Sequence, residues 1–266
     1  MIDVHLHLLP AVDDGPADLD ASLDLARACV ASGASAVVVT PHVNDRTRAL
    51  LPDADADAVR ARVAALRLEV ERAGIPLTLH AGGEAYLSPT LPADVRAGRV
   101  PTLAGTQWLL VETATTYSPL FLDQTMFELQ AAGIAPLLAH PERYAWLHKD
   151  HAALRRLVAR GICAQITASA LTGERGRAQR VLAESFVREG LVQVIASDLH
   201  RAGGGATLQD AYAAAAALVG DERARDLLET NPQHILDGEP IVPRVEEVSS
   251  RRTSWWPKAW RRSVNF

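Results

Sequence analysis

MIDVHLHLLPAVDDG, residues 1–15, opens the chain as a short apolar run that passes into two histidines, a proline and an Asp-Asp-Gly triplet. Residues 1–6 read as a β-strand. In an open doubly wound sheet, the place after the first strand is where a glycine-rich phosphate loop stands. Here HLHLLPAVDDG occupies it, and the glycine-rich stretch at 203–205 follows the last strand candidate instead. Working outward, six further β-branched or apolar runs, at 35–40, 75–82, 107–112, 134–139, 161–167 and 191–197, read as strands. Segments 18–32, 54–73, 119–132, 151–160, 176–189 and 207–219 carry apolar residues three and four apart, the mark of amphipathic helices. Asp18 and Asp20 suit the start of the first helix, and Gly33, Gly74, Gly133 and Gly190 stand where helix C-caps belong, each just before a strand. A strand and a helix repeated about seven times predict an α/β barrel, with an open doubly wound sheet as the runner-up.

The bulk numbers fit one barrel-sized domain. The 266 residues are 48% hydrophobic and 22% charged, an ordinary globular balance that excludes wholesale disorder and disulfide scaffolds. A net charge of -5 argues against a nucleic-acid-binding surface over the whole molecule and leaves room only for a local basic patch. Cys29 and Cys163 lack zinc-knuckle spacing and read as buried free thiols. Asp3, His5 and His7 interrupt the first apolar run, so it does not read as a secretory signal. No stretch approaches the ~20 apolar residues of a membrane span. The expectation is a cytoplasmic protein.

Histidines and acids cluster at the downstream ends of the strand candidates. His5 and His7 close the first, His42 follows the second, Glu84 the third, Glu112 ends the fourth, His140 follows the fifth, and Asp198 and His200 follow the seventh. Taken singly, each is an ordinary polar residue, solvated or salt-bridged. In a βα barrel, however, the C-terminal strand ends converge on one face, where active sites of that architecture sit. His-x-His and Asp-x-His also have the period-two spacing that points both side chains one way. Imidazoles and carboxylates without thiolates select Zn, Mn or Fe, and carboxylates can bridge two ions. The ligand count implies more than one ion, and a cluster of ions suits hydrolysis of a phosphate ester. Arg143, three residues past His140, is a candidate phosphate partner; the alternative is an exposed loop arginine paired with Glu142. Arg201, directly after His200, is a second candidate.

MIDVHLHLLPAVDDGP at the start, TPH at 40–42, LLAHPERY at 137–144, ITASALTG at 166–173 and IASDLH at 195–200 together resemble the bacterial manganese-dependent tyrosine phosphatases of the polymerase-and-histidinol-phosphatase superfamily. The resemblance covers residues 1 to about 238. It implies a distorted TIM-like (β/α)7 barrel and three divalent metal ions, with Mn expected and Fe or Zn as substitutes. It also implies a phosphotyrosine protein substrate, a bacterial tyrosine kinase governing capsule or exopolysaccharide synthesis. By the same resemblance His5, His7, Glu84 and Asp198 hold the first ion, and Glu84, Glu112 and His140 the second. Asp14, brought in only by the DDG motif, joins His42 and His200 at the third. Arg143 matches the phosphate-binding arginine, and His42 or His200 could assist the leaving group. The departure is RAGGGAT after His200, where such enzymes place another arginine several residues on; Arg201 is the candidate substitute.

The remaining expectations concern the tail and the rim. Residues 239–266 read as an appended tail beyond a 1–238 phosphatase barrel. Arg251, Arg252, Lys258, Arg261 and Arg262 with Trp255, Trp256 and Trp260 suit weak contact with an anionic membrane surface, against the plainer reading of an unstructured tail. An aromatic rim of Tyr86, Tyr117, Phe121 and Tyr144, with Leu87, Pro119 and Leu120, is expected to favour a phenyl ring over histidinol phosphate, the substrate of the alternative reading. A non-catalytic barrel that keeps metals for stability is the third reading.

Overall fold

The computed structural model describes residues 1–43 and 55–244. Nine strands are found among them: β1 (Ile2–Leu6), β2 (Ala36–Val39), β3 (His42–Val43), β4 (Thr78–Ala81), β5 (Glu84–Tyr86), β6 (Trp108–Glu112), β7 (Ala135–Ala139), β8 (Cys163–Thr167) and β9 (Val194–Ala196). Every ladder is parallel, in a three-stranded sheet β1-β2-β4 and a six-stranded sheet β3-β5-β6-β7-β8-β9. The fold is therefore α/β, and each of the seven strand candidates contributes to a sheet.

Two candidates, 35–40 and 75–82, are each followed by a further short strand that was not anticipated. After β2 the chain meets Pro41, which has no N–H for a ladder, and pairing resumes at His42. After β4 it meets Gly82-Gly83, and pairing resumes at Glu84. A Cβ on Gly82 would lie 2.7 Å from Val38 Cγ1, and one on Gly83 2.8 Å from Pro101 Cγ, so only glycine lets the backbone pass so close. The ladders thus form two sheets where the sequence suggested one run of seven strands. At the other end Leu6 makes a parallel bridge with Leu199, and the Asp198 and His7 amides donate to the His5 and Leu199 carbonyls at 2.9 and 3.0 Å.

The expected helices are present as Leu19–Ala31, Ala56–Arg72, Leu122–Ala131, His151–Ala159, Arg177–Arg188 and Leu208–Val219. Asp18 caps the first by accepting from the Ala21 amide at 2.9 Å, and the four expected C-terminal glycines all adopt positive φ. Shorter helices at Leu91–Arg96, Ala145–Lys149, Ala168–Thr172, Asp221–Arg225 and Asn231–Asp237 were not anticipated. No helix among the described residues is long and apolar enough to cross a membrane.

The strands are buried on both faces. Val37, Val39, Leu109, Val111, Leu138, Ile166 and Ile195 pack against the helices in the larger core. Val4, Val38, Trp108, Leu110, Leu137, Cys163, Val194 and Ala196 face a separate inner cluster closed by Ile235 and Ile241. With a side-chain period of two, the inner face runs Trp108-Leu110-Glu112, Cys163-Gln165-Thr167 and Val194-Ala196-Asp198: apolar at the base, polar at the C-terminal end. Both cysteines are buried free thiols, as expected. Residues 245–266, which include every basic and tryptophan residue invoked for membrane contact, lie outside the described residues. The described beginning of the expected 239–266 tail is held by the body: Trp108 Nε1 donates to Glu239 O at 3.0 Å, and Ile241 is buried.

Candidate metal centre

All nine expected ligand residues meet on one side of the sheets, where β1, β2, β4, β6, β7 and β9 end and β3 and β5 begin. His5 on β1 and His7 just beyond it are fully buried, and His42 on β3 pairs in register with Glu84 on β5. Glu112 ends β6, paired with Tyr86. His140 and Asp198 directly or nearly follow β7 and β9 with φ of 34° and 54°, left-handed conformations that cost non-glycine residues about 1–3 kcal/mol each and recur at functional sites. Among the described residues four groupings of potential ligand atoms arise: His7, Asp14, His42 and His200; His5, His7 and Glu84; His5, His140 and Asp198; and His42, Glu84 and Glu112.

Glu84 is the hub. Its Oε2 lies 3.3 Å from His5 Nε2, 3.5 Å from His7 Nε2 and 2.9 Å from His42 Nδ1, while Oε1 lies 2.7 Å from His140 Nε2. Asp198 Oδ1 stands 3.2 Å from His5 Nε2 and 3.4 Å from His7 Nε2. Asp14 Oδ1 is 3.3 Å from His200 Nε2 and 3.5 Å from His42 Nε2. His42 therefore faces Glu84 and Glu112 through one nitrogen and Asp14 through the other, so it stands between the second and third ligand sets.

Three imidazoles are oriented from behind. His5 Nδ1 meets Gln165 Oε1 at 2.9 Å, His7 Nδ1 meets Asp13 Oδ2 at 2.8 Å, and His200 Nδ1 meets the Asp198 carbonyl at 3.0 Å. With Nδ1–H donated backward, each Nε2 lone pair points into the cluster, the arrangement that holds imidazole ligands on metals. Asp13 also accepts from the His42 and Gly15 amides. Asp13 and Gln165 were missed by sequence reasoning. Their signals were a polar residue inside the apolar run GICAQIT and the first acid of the DDG triplet, both overshadowed by neighbours of stronger ligand character.

The cluster fits divalent metal ions. Glu84 Oε2, His42 Nδ1 and His140 Nδ1 are buried yet make no hydrogen bond of acceptable geometry, although the first two lie only 2.9 Å apart. Buried lone pairs that face one another are costly unless a cation or proton lies between them. The electrostatics agree. Burial opposes charge on His42, but the close Glu112 and Glu84 carboxylates prevail and lift its pKa to about 10. For His7, burial is likewise outweighed, by Asp13, Asp198 and Glu84, and its pKa is also raised. Glu84 is pulled well below the usual carboxylate range: burial works against this, but the charge on His5, the hydrogen bond from His140 and the nearness of His42 dominate. Such a site binds protons avidly, and metal ions would displace them.

Above the cluster opens a cavity of about 540 Å³ lined by Asp14, His42, Glu84, Glu112, His140, Asp198 and His200 together with Arg143, Arg175 and Arg201. Arg143 sits in the turn Pro141–Arg143, three-quarters covered, with its Nη2 hydrogen-bonded to Asp198 Oδ2. The alternative pairing with Glu142 is not adopted: Glu142 is buried and accepts from the Thr167 amide and hydroxyl at 3.0 and 2.7 Å. Arg201 is exposed at the lip. Arg175, from the turn after β8, was not anticipated.

The aromatic rim is narrower than expected. Tyr86, Tyr117 and Leu120 are exposed. Tyr144 is fully buried, stacked on Trp146 at 5.6 Å with its hydroxyl accepting from the Thr113 amide at 3.1 Å, because its ring fills the core beneath the Pro141–Arg143 turn. Leu87 and Pro119 are buried as well, and Phe121 is half-buried against the core.

A family model described as capsular polysaccharide synthesis, CpsB/CapC, matches residues 1–237. The chain belongs to the CpsB/CapC family. Among its relatives, the tyrosine-protein phosphatase YwqE of Bacillus subtilis (strain 168) is 32% identical over 200 residues, 75% of this chain and 77% of that protein. The tyrosine-protein phosphatase CpsB of Streptococcus agalactiae is 28% identical over 242 residues, 89% of this chain and 98% of that protein. A crystal structure reported for the metal-dependent tyrosine phosphatases YwqE from Bacillus subtilis and CpsB from Streptococcus pneumoniae superposes with a TM-score of 0.86 at 28% identity, covering 93% of this chain and 100% of that one. Outside the CpsB/CapC family, dihydropyrimidinase from Brevibacillus agri shares the fold alone, with a TM-score of 0.51 at 10% identity over 91% of this chain and 72% of that one.

Proposed function

We propose that this chain is a metal-dependent phosphomonoesterase acting on phosphotyrosine in a protein, and that its substrate is a bacterial tyrosine kinase controlling capsule or exopolysaccharide synthesis. The observation that carries this reading is the convergence of five imidazoles and four carboxylates around buried Glu84, under a cavity walled by arginines. Family membership and the names of its relatives supply the substrate class. The bridge Leu6–Leu199 and the strand continuations across Pro41 and Gly82-Gly83 support a distorted (β/α)7 barrel over residues 1–238. Contact of residues 251–262 with anionic membrane would bring the enzyme to a membrane-bound kinase. It is tested by vesicle binding before and after truncation at about residue 248.

Three divalent ions, Mn foremost, suit the ligand set. His5, His7, Glu84 and Asp198 would hold one; Glu84, Glu112 and His140 a second; Asp14, His42 and His200 a third. When bound, such ions supply Lewis acidity, which acidifies water and stabilises charge on phosphate oxygens. The chain does the rest. Gln165 and Asp13 fix the tautomers of His5 and His7. Arg143 exchanges Asp198 for the equatorial phosphate oxygens, a planar fork suited to charge that grows in the transition state. His42 and His200, 23% and 27% exposed, are the most open of the five imidazoles and are the ones assigned to assist a leaving phenolate. With a phenol pKa near ~10, that group departs without a strong acid. The deciding experiment sets phosphotyrosine peptide beside histidinol phosphate on protein of defined metal content. A kcat/KM at least about tenfold higher for the peptide is expected, and a preference for histidinol phosphate overturns the tyrosine-phosphatase reading.

A further inference from the structure

Among the described residues three arginines stand in the wall of the cavity, and they are not equivalent. Arg143, Arg175 and Arg201 come from the chain segments that follow β7, β8 and β9, three adjacent strands of the six-stranded sheet. The Arg143 guanidinium is held by Asp198. Arg201 and Arg175 are both exposed, but the Arg201 side chain makes no hydrogen bond to the described residues that would hold it in place. Arg175 is fastened at one point: its Nε donates to the Ser169 hydroxyl at 3.2 Å, and among the described residues no carboxylate pairs with it.

The fastening is built into the backbone. Ser169 is 2% exposed and belongs to the helix Ala168–Thr172, which starts directly where β8 ends. The Arg175 amide donates to the carbonyl of the same serine at 3.3 Å. Gly173 and Gly176, with φ of 95° and 91°, bracket the turn, and the Gly176 amide donates to the Gly173 carbonyl at 3.0 Å. Backbone and side chain of Arg175 are therefore tied to one buried residue. A guanidinium secured through Nε keeps both Nη groups for a two-pronged contact, and Arg is suited to oxyanions in that geometry. Opposite, the segment 203–205 has no side chains; a Cβ on Gly205 would lie 3.6 Å from Ser169 Cβ and 3.9 Å from Glu174 Oε2, so the glycine run lies against the Arg175 turn without covering it.

The charge of the cavity gives this arginine a use. With Asp14, Glu84, Glu112 and Asp198 taken up by the ions they would hold, the outer oxygens of a phosphate dianion are left to the arginines of the wall, and the Arg143 fork serves two of them. We propose that Arg175, positioned by Ser169, is a second phosphate-binding arginine of the site, making direct contact with the phosphate of the substrate. The proposal rests on the phosphatase reading above for what enters the cavity.

Inorganic phosphate is the probe, titrated calorimetrically into metal-loaded wild type and Arg175→Met, with KM measured for p-nitrophenyl phosphate and for a phosphotyrosine peptide. The expected result is a phosphate Kd about tenfold higher in Arg175→Met, KM raised by a similar factor for both esters, and full metal content. Arg177→Ala, outside the cavity lining, leaves all three values unchanged. A phosphate Kd within twofold of wild type would overturn the proposal. So would a loss confined to peptides with acidic neighbours, which would make Arg175 a contact for flanking residues. If Arg175→Met does not keep its fold, Arg175→Gln decides by the same criteria. Phosphate binding is read without turnover, so a wild type that hydrolyses neither ester sinks the phosphatase reading while the Kd comparison still judges Arg175.

Discussion

Glu84 is the residue on which the cluster turns, because its two oxygens face four histidines, two from the end of β1, one from β3 and one from the turn after β7. Removing its charge while keeping its volume isolates that role. Glu84→Gln is expected to lose more than one metal equivalent, and Glu112→Gln fewer; elemental analysis of the purified variants reads the difference, and full retention in Glu84→Gln removes the bridging assignment. Arg143 tests a different function at the same scale. Arg143→Lys keeps a charge beside Asp198 but not the planar fork, so its metals should stay while kcat falls about a hundredfold. An unchanged kcat would take Arg143 out of the reaction. Tyr144 shows how residue identity alone can mislead. A tyrosine next to Arg143 in HPERY looks like a rim residue, but its ring is in the core and its hydroxyl is satisfied by the Thr113 amide.

At the scale of elements, the interrupted strands do the positioning. The breaks at Pro41 and Gly82-Gly83 let β3 and β5 pair in a sheet separate from β2 and β4, and that pairing sets His42 directly beside Glu84. Gly83 is enclosed: a Cβ there would come within 2.8 Å of Pro101 Cγ and 2.9 Å of Val43 Cγ2. Gly83→Ala should therefore cost about 1–3 kcal/mol of stability through overpacking. It should also weaken metal retention, since the displaced backbone is the one carrying Glu84. Chemical denaturation together with metal stoichiometry checks both; stability and metal content equal to wild type would show that the break tolerates a side chain.

The whole molecule couples stability to protons and metals through this site. In the metal-free protein the His42 pKa is about 10 against an ordinary 6.5, so the stability it contributes is fully present below pH 6.5 and is lost as pH rises through 10. His5 and His7, also raised, act in the same direction, and His200, lowered, acts in the opposite one. Glu84 and Asp198 are depressed, so their contribution is present above the ordinary carboxylate range and is lost on acidification. The Tm of protein in EDTA should therefore fall between pH 6.5 and 10. The increase in Tm on adding Mn²⁺ should grow over the same interval, because fewer protons have to be displaced. Calorimetric scans at several pH values test this, and a flat metal-free Tm across the interval would refute the proton-binding picture.

Much of the site was legible in one dimension because its signals are local. The period of a strand places His5 with His7, and the position of a ligand at the end of a strand depends largely on where that apolar run stops; Asp198 and His200, in contrast, reach the cluster from a left-handed turn beyond β9 and not by strand alternation. The repeat of strand, helix and glycine carried the α/β class for the same reason. Other features needed the folded chain. Gln165 meets His5 across 160 residues, Glu142 chooses Thr167 over Arg143, and Arg175 reaches the cavity from a turn eight residues past its strand. Such partnerships follow from which loops the sheets bring together and from the cost of leaving a buried polar group unpaired, and neither is encoded by spacing along the chain.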